Sequence, residues 1–180
     1  MTAYSQEVIR DLMEGKLPWP DTKRIMSAYK DDDRFFKALA VLQARVTWKE
    51  RILLPVGEHL FIVQKGEKRV TRCTCGHEFG DYRRNWKLAA NILVRDDEAS
   101  LREIYPNSDL CDPNWMEIRE FLCPSCFRLL EVEACPPGYP IVHDFEPDLE
   151  GFYRDWLGKP LGAHSRAPAG GGGAAPPKRE

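Results

Sequence analysis

The first 48 residues carry apolar side chains at the three- and four-residue spacings that place them on one face of a helix. Ser5 is a suitable cap for a first helix that ends at Gly15. A second short helix carries Ile25, Met26 and Tyr29. A third helix of about four turns follows three aspartates that favour a helix N-terminus, and its apolar face consists of Phe35, Phe36, Leu39, Leu42 and Val46.

From Arg51 the pattern changes to short β-branched and aromatic runs, which predict strands. Residues 86–94 fit either a strand or a helix, whereas residues 97–105 predict a helix that begins with acidic residues and stops before Pro106. A last helix is predicted over 147–157. The predicted strands are 52–55, 60–63, 69–72, 116–122 and 129–134, with a turn at 65–68.

These elements predict an α+β protein in three parts. A helical arm covers residues 1–48, and a small antiparallel β domain with an inserted helix and a C-terminal helix covers residues 49–158. Residues 159–180 contain 5 Gly, 5 Ala and 4 Pro. Because so few apolar side chains cannot offset the entropy of ordering a chain, we expect a flexible tail there.

Two cysteine pairs are the strongest chemical signal. Cys73 and Cys75 follow one predicted strand, and Cys123 and Cys126 follow another as a CxxC pair. Two such pairs supply the four soft ligands of a tetrahedral Zn²⁺ site. The sequence therefore predicts a zinc-ribbon-like site within the β domain, although the 47 residues between Cys75 and Cys123 exceed the spacing of a compact ribbon and require an inserted unit.

Alternatives remain open for these residues. His77 follows the first pair and is an alternative ligand to one of its cysteines. A redox role for Cys123 and Cys126 is a second interpretation, although a redox CxxC usually opens a helix. Cys111 and Cys135 are interpreted as ordinary thiols, and we interpret His143-Asp144 as a local turn rather than as acid–base machinery.

Composition narrows the class of protein. The chain has 180 residues, with 26 Lys and Arg against 28 Asp and Glu, so its net charge of −2 does not favour nucleic acid or an anionic membrane. No apolar run approaches the length of a membrane span, and the first residues lack the features of a secretory signal. Six cysteines in such a chain indicate reduced thiols, so we expect a cytoplasmic protein.

Five segments of the sequence are more specific together than the cysteine pairs alone: RCTCGHEF (72–79), NWKL (85–88), EIYP (103–106), IREFLCPSC (118–126) and HDFEPDLEGFY (143–153). On these segments the chain resembles the gamma subunit family of acetone carboxylase. Phe127 departs from a common feature of such cysteine turns, since Gly often follows the second cysteine.

The resemblance implies a non-catalytic subunit of an enzyme that joins acetone to bicarbonate, with ATP, to give acetoacetate. It implies a heterohexamer of two alpha, two beta and two gamma subunits. Mn²⁺ and the nucleotide are expected in the large subunits, and a structural zinc ion away from the carboxylation chemistry is expected in gamma. The equivalent subunit of a carboxylase for acetophenone or butanone fits the same residues.

Two other classes of function remain as alternatives. A nucleic-acid-binding zinc ribbon would need a basic surface, for which residues 69–72 and 82–84 are the candidates. A free-standing zinc enzyme would need three protein ligands and an open coordination position. Four cysteine ligands would leave no open coordination position. The sequence also contains no Walker A loop, GxGxxG or HExxH motif that would indicate a catalytic site.

Overall fold

The computed structural model describes residues 4–28 and 31–162. Within these residues the chain forms five α-helices and seven strands, which confirms the predicted α+β class. Contacts divide the chain between Glu146 and Pro147 into two units. The predicted domain boundaries at 48/49 and 158/159 stay predictions.

Three helices form the N-terminal arm: α1 (Gln6–Met13), α2 (Trp19–Ser27) and α3 (Arg34–Ala44). The Ser5 side chain accepts a hydrogen bond from the Val8 N–H, so the predicted cap of α1 is present. Helix α3 has 11 residues, about three turns rather than four. The three aspartates precede the helix, where Asp31 pairs with the Arg34 side chain at 2.7 Å, and the helix ends at Ala44, before Val46.

The first sheet has four antiparallel strands in the order β1 (Arg51–Pro55), β2 (Leu60–Lys65), β3 (Lys68–Cys73) and β4 (Glu78–Asp81). A tight turn at Gly66 and Glu67 joins β2 to β3, as the sequence predicts. Strand β4 was not predicted, because its four residues include two acids and a glycine. Helix α3 packs on this sheet through a core formed by Leu39, Leu42, Ile52, Phe61, Val63 and Val70.

The second sheet has three antiparallel strands in the order β5 (Asn91–Arg95), β6 (Glu117–Leu122) and β7 (Leu129–Cys135). A short 3₁₀ helix (Trp86–Ala89) precedes β5, so the ambiguous segment 86–94 is first helical and then extended. Helix α4 (Glu98–Ile104) lies between β5 and β6, where a helix was predicted, and the Asp97 side chain caps it.

A second core joins the two sheets. Phe79, Trp86 and Phe121 make successive edge-to-face ring contacts at centroid distances of 5.7 and 6.0 Å. Leu60 of the first sheet and Ile92 and Leu130 of the second sheet belong to the same cluster. Aromatic pairs of this geometry add to the stabilisation given by burial alone. The two sheets, and the turns at their ends, therefore hold a fixed relation to each other.

The C-terminal unit contains a helix where one was predicted, but the helix begins at Leu149 instead of residue 147 and changes from α-helical to π-helical hydrogen bonding. Helix α5 (Leu149–Gly151) is capped by the Asp148 side chain and continues as a π-helical turn, Phe152–Trp156. Two predictions fall outside the described residues: Tyr29, and the tail from residue 163 onward. Among the helices that the structure describes, none has the length and apolarity needed to cross a bilayer.

Candidate metal centre

The first cysteine pair lies in the turn between β3 and β4, which we call the first knuckle (Cys73–His77). The Cys73 N–H donates to the His77 carbonyl oxygen at 2.9 Å, and the Gly76 N–H donates to the Cys73 carbonyl oxygen at 2.9 Å. Gly76 has φ +99°, a left-handed conformation that glycine adopts without steric penalty. These bonds close a tight turn that directs both thiols to the same side.

The second pair lies in the turn between β6 and β7, which we call the second knuckle (Cys123–Arg128). The Phe127 N–H donates to the Cys123 carbonyl oxygen at 2.8 Å, and the Cys123 N–H donates to the Arg128 carbonyl oxygen at 2.9 Å. As in the first knuckle, two backbone hydrogen bonds to the first cysteine close the turn. The residue with left-handed backbone here is Phe127, with φ +54°. Because strands flank the pair on both sides, it lacks the helix that usually follows a redox CxxC.

The two knuckles bring four Sγ atoms together. The Sγ atoms of Cys73, Cys75, Cys123 and Cys126 all lie within 4.8 Å of one another. The Sγ–Sγ distance is 3.8 Å between Cys73 and Cys126 and 3.6 Å between Cys75 and Cys123. Four sulfurs at about 2.3 Å from a tetrahedral Zn²⁺ lie about 3.8 Å apart. The donor set and its spacing therefore fit one zinc ion.

Side chains outside the thiol cluster also join the knuckles. Arg128 of the second knuckle donates to the Thr74 hydroxyl at 2.9 Å, and Ser125 Oγ lies 2.8 Å from His77 Nδ1. The Trp48 indole N–H donates to the Thr74 carbonyl oxygen at 3.2 Å. His77, the alternative ligand predicted from the sequence, therefore has one ring nitrogen hydrogen-bonded to Ser125, and it is not a member of the group of four cysteines.

Burial affects the thiols unequally. Cys73 and Cys123 are buried, and burial raises the pKa of Cys73 to about 12 and also raises the pKa of Cys123. Cys75 and Cys126 are exposed. Neutral thiols suit the buried positions without a cation, whereas a divalent cation binds them as thiolates and releases their protons.

The structure holds a second cluster that the sequence analysis missed. Lys87, in the 3₁₀ helix, is 0% exposed, and its ammonium lies between three carboxylates. The Nζ atom is 2.6 Å from Glu131 and 3.1 Å from Asp144, and it also contacts Glu133. The Phe121 ring lies below the ammonium, with its centroid 5.3 Å from Nζ. The three carboxylates have the mutual spacing of metal ligands, but Lys87 occupies their centre.

The three carboxylates keep the Lys87 ammonium in its charged form. Burial acts to lower the pKa of Lys87, but the hydrogen bonds with the three carboxylates outweigh it and the pKa is raised. Burial raises the pKa of Glu131, and Lys87 only partly compensates. Asp144 was interpreted as part of a local turn; its carboxylate instead reaches Lys87. The alternation of Glu131 and Glu133 along β7 was the available signal, because it puts both acids on one face of the strand.

Two arginines of the candidate basic segments, Arg72 and Arg83, are paired with carboxylates of the same chain. Arg72 is buried, lies against the Trp48 ring and pairs with Glu50 and Glu78 at 2.7 and 3.1 Å. Arg83 pairs with Asp81 at 2.9 Å. Guanidinium groups that are neutralised within the chain contribute little to phosphate binding.

Known proteins similar to this chain are carboxylase subunits. Residues 46–157 match the family described as acetone carboxylase gamma subunit. The chain is 47% identical over 162 residues to the acetone carboxylase gamma subunit of Xanthobacter autotrophicus, covering 88% of this chain and 96% of that protein. A shorter match, 51% identical over 39 residues, covers 22% of this chain and 30% of the acetophenone carboxylase beta subunit of Aromatoleum aromaticum.

Proposed function

Because the chain belongs to the acetone carboxylase gamma subunit family, we propose that it is the small, non-catalytic subunit of a ketone carboxylase and holds one structural zinc ion. The observation that carries the zinc assignment is the convergence of four Sγ atoms from two separate sheets. The ligands are Cys73, Cys75, Cys123 and Cys126. Zinc fixes the ends of the two sheets against each other.

The donor set favours a structural role over a catalytic one. A catalytic zinc has three protein ligands and a position for water, whereas four thiolates complete the tetrahedron. Four thiolates also donate so much charge that the ion becomes a weak Lewis acid. In this proposal the cysteines supply rigidity, and the carboxylation chemistry takes place in other subunits.

The proposed partners are the large alpha and beta subunits, in an α₂β₂γ₂ assembly in the cytoplasm. That enzyme joins acetone to bicarbonate with ATP to give acetoacetate, and its Mn²⁺ and nucleotide belong to the large subunits. The length and identity of the match to an acetone carboxylase gamma subunit support acetone over acetophenone or butanone. The paired state of Arg72 and Arg83 favours a protein partner over a nucleic acid.

Reconstitution with the large subunits from the same host tests this proposal. We expect the chain to co-elute with them carrying one zinc ion, and the assembled complex to convert acetone to acetoacetate. The Cys75→His variant keeps four ligands for zinc. Among complexes that have assembled and retained zinc, we expect near-normal turnover from this variant.

Two results would contradict the proposal. A chain that fails to associate with the large subunits is not their gamma subunit. A Cys75→His complex that retains zinc and assembles fully, yet loses turnover by about a hundredfold, would lack some 2.7 kcal/mol of transition-state stabilisation and would require a catalytic role for the metal.

A further inference from the structure

The four sulfurs of the metal centre differ in their access to solvent. Cys73 and Cys123 are 0% exposed, whereas Cys75 and Cys126 are exposed. Each knuckle therefore presents one sulfur to solvent and buries the other. A metal-bound cysteine is a thiolate, and the thiolate is the form that reacts with oxidants. Because all four sulfurs are thiolates once a metal is bound, exposure decides which of them an oxidant in solution reaches first.

Each exposed sulfur lies beside a buried sulfur of the other knuckle. The Sγ atom of Cys126 is 3.8 Å from that of Cys73, and the Sγ atom of Cys75 is 3.6 Å from that of Cys123. An oxidised cysteine, in the form of a sulfenic acid, condenses with a neighbouring thiol to give a disulfide. The sulfurs of a disulfide are about 2.05 Å apart, so each pair has to approach by less than about 2 Å.

Contacts that do not involve the sulfurs also hold the two knuckles together. Ser125 and Arg128 flank Cys126, and they bond to His77 and Thr74 of the first knuckle at 2.8 and 2.9 Å. Behind the knuckles, the aromatic core joins the two sheets. These contacts persist when the metal leaves, because none of them uses a metal ligand atom. The exposed sulfur of one knuckle therefore stays beside the buried sulfur of the other.

We propose that Cys75 and Cys126 are sites of reversible oxidation by a peroxide, and that oxidation replaces the metal bridge between the two sheets with a disulfide between the knuckles. The inference rests on the proposed zinc site, because the metal keeps the sulfurs as thiolates. It differs from a redox CxxC, in which the disulfide forms within one turn.

The reaction has two steps, which Cys126 and Cys73 illustrate. The Cys126 thiolate attacks the peroxide, the O–O bond breaks, one oxygen stays on sulfur as a sulfenic acid and the other leaves as hydroxide. The Cys73 thiolate then attacks that sulfur, the S–S bond forms and the second oxygen leaves as hydroxide. Two electrons pass from the two sulfurs to the peroxide, and the ion, left with two ligands, is released. A dithiol reductant returns the two electrons and is itself oxidised to a disulfide.

Peptide mapping of the oxidised chain tests which disulfide forms. The zinc-loaded Cys111→Ser chain, which lacks the exposed thiol outside the cluster, is treated with one equivalent of hydrogen peroxide and digested with trypsin without reduction. Trypsin places each cysteine pair in its own peptide, residues 73–83 and residues 120–128. We expect zinc release together with a disulfide that joins the two peptides, and dithiothreitol should separate the peptides and restore zinc binding. A disulfide confined to one peptide, or zinc release without a disulfide, would overturn the proposal.

A matched pair of variants tests the role of exposure. Cys75→His/Cys126→His replaces both exposed sulfurs, and Cys73→His/Cys123→His replaces both buried ones; each variant keeps four zinc ligands. We expect peroxide to release zinc at least tenfold more slowly from the first variant and at close to the wild-type rate from the second. Equal rates from the two variants would overturn the proposal. If either variant fails to hold zinc, the peptide map of the Cys111→Ser chain decides alone.

The zinc content before oxidation separates this inference from the proposed function. A purified chain that holds no zinc contradicts the proposed metal site itself. A chain that holds one zinc ion and retains it in peroxide contradicts only the inference drawn here.

Discussion

Within the described residues, two groups of side chains of the types that ligate metals have their ligand atoms within 4.8 Å of one another. The two groups differ in the source of the positive charge that balances them. The cysteine cluster collects four thiols from two knuckles and contains no cationic side chain at its centre. The Lys87 cluster collects three carboxylates and places its own ammonium among them. One region therefore depends on a cation from solution, whereas the other carries its cation in the sequence.

The difference has consequences for stability. Metal binding to the folded state contributes free energy that depends on the metal concentration and vanishes with a chelator. An internal ammonium is always present, and its contribution changes only with protonation or mutation. The cysteine cluster also joins the ends of two sheets, whereas the Lys87 cluster fastens the 3₁₀ helix and Asp144 onto β7. We expect the first region to respond to chelators and the second to pH.

The largest expected effect is the loss of the metal site through Cys123→Ser. A structural zinc site contributes on the order of 10 kcal/mol to folding. Without it, we expect the β region to unfold and the variant to contain no stoichiometric zinc. Zinc analysis together with the thermal unfolding transition measures both outcomes.

Cys111→Ser is the matched control for this variant, since Cys111 is exposed and lies outside the cluster. It should retain one zinc ion and the melting temperature of the wild type. Stoichiometric zinc and unchanged melting in Cys123→Ser would mean that this cysteine is not a ligand.

The two regions also differ in how far the sequence predicts them. The cysteine pairs are local, because each occupies one tight turn, and two cysteines that are close in sequence after a predicted strand indicate metal ligands. The Lys87 cluster joins residues from positions 87, 131, 133 and 144, and nothing local couples a lysine in an ambiguous segment to acids in a later strand. Periodicity predicts which strands exist, but pairing between distant segments depends on packing that the pattern does not contain.

In the helical arm and the sheets, too, the sequence pattern predicts where an element lies but not the details that depend on its neighbours. The amphipathic pattern predicts the position of α3 but not the residues at which it begins and ends, because helix boundaries depend on the turns that flank the apolar face. The apolar runs predict β1 and β2, and the turn at 65–68 predicts β3. The polar β4 forms because β3 supplies a hydrogen-bonding edge. The left-handed conformation of Phe127 is likewise imposed by the knuckle and has no signal in its own side chain.

Replacement of the internal cation is the next largest perturbation. Lys87→Met keeps the aliphatic length of the side chain but leaves the partly buried carboxylates of Glu131 and Glu133, and the exposed one of Asp144, without their counter-ion. Removal of one partner from a buried charge pair costs about 3–5 kcal/mol. We expect a loss of this size in the free energy of unfolding by urea, with zinc content unchanged.

Lys65→Met is the corresponding surface variant. Lys65 pairs with Glu78 at 2.7 Å, but half of its side chain is exposed. Exposed pairs contribute about 0.2–1 kcal/mol, so this variant should remain close to the wild type. Equal losses in Lys65→Met and Lys87→Met would show that burial does not distinguish the two ion pairs.

The smallest expected effect is a pH dependence that arises in the Lys87 cluster. Burial raises the pKa of Glu131 above its ordinary value of 4.5, so the folded protein takes up this proton at a higher pH than the unfolded chain. Its contribution to the free energy of unfolding therefore increases as the pH falls from neutral through the folded pKa, and levels off below 4.5. We expect the wild type to gain stability relative to Glu131→Gln over this range, as measured by urea unfolding at pH 7 and pH 5.

Asp144 provides a control of opposite sign within the same cluster. Burial acts to raise its pKa, but the hydrogen bond with Lys87 outweighs burial and the pKa lies below its ordinary value of 3.8. The contribution of Asp144 is therefore complete above pH 3.8 and is lost as the pH falls through its folded pKa. The wild type should lose stability relative to Asp144→Asn only in that acidic range. If Glu131→Gln and Asp144→Asn showed the same direction of change, the carboxylates would not be held by one internal cation, and the contrast with the cysteine cluster would fail.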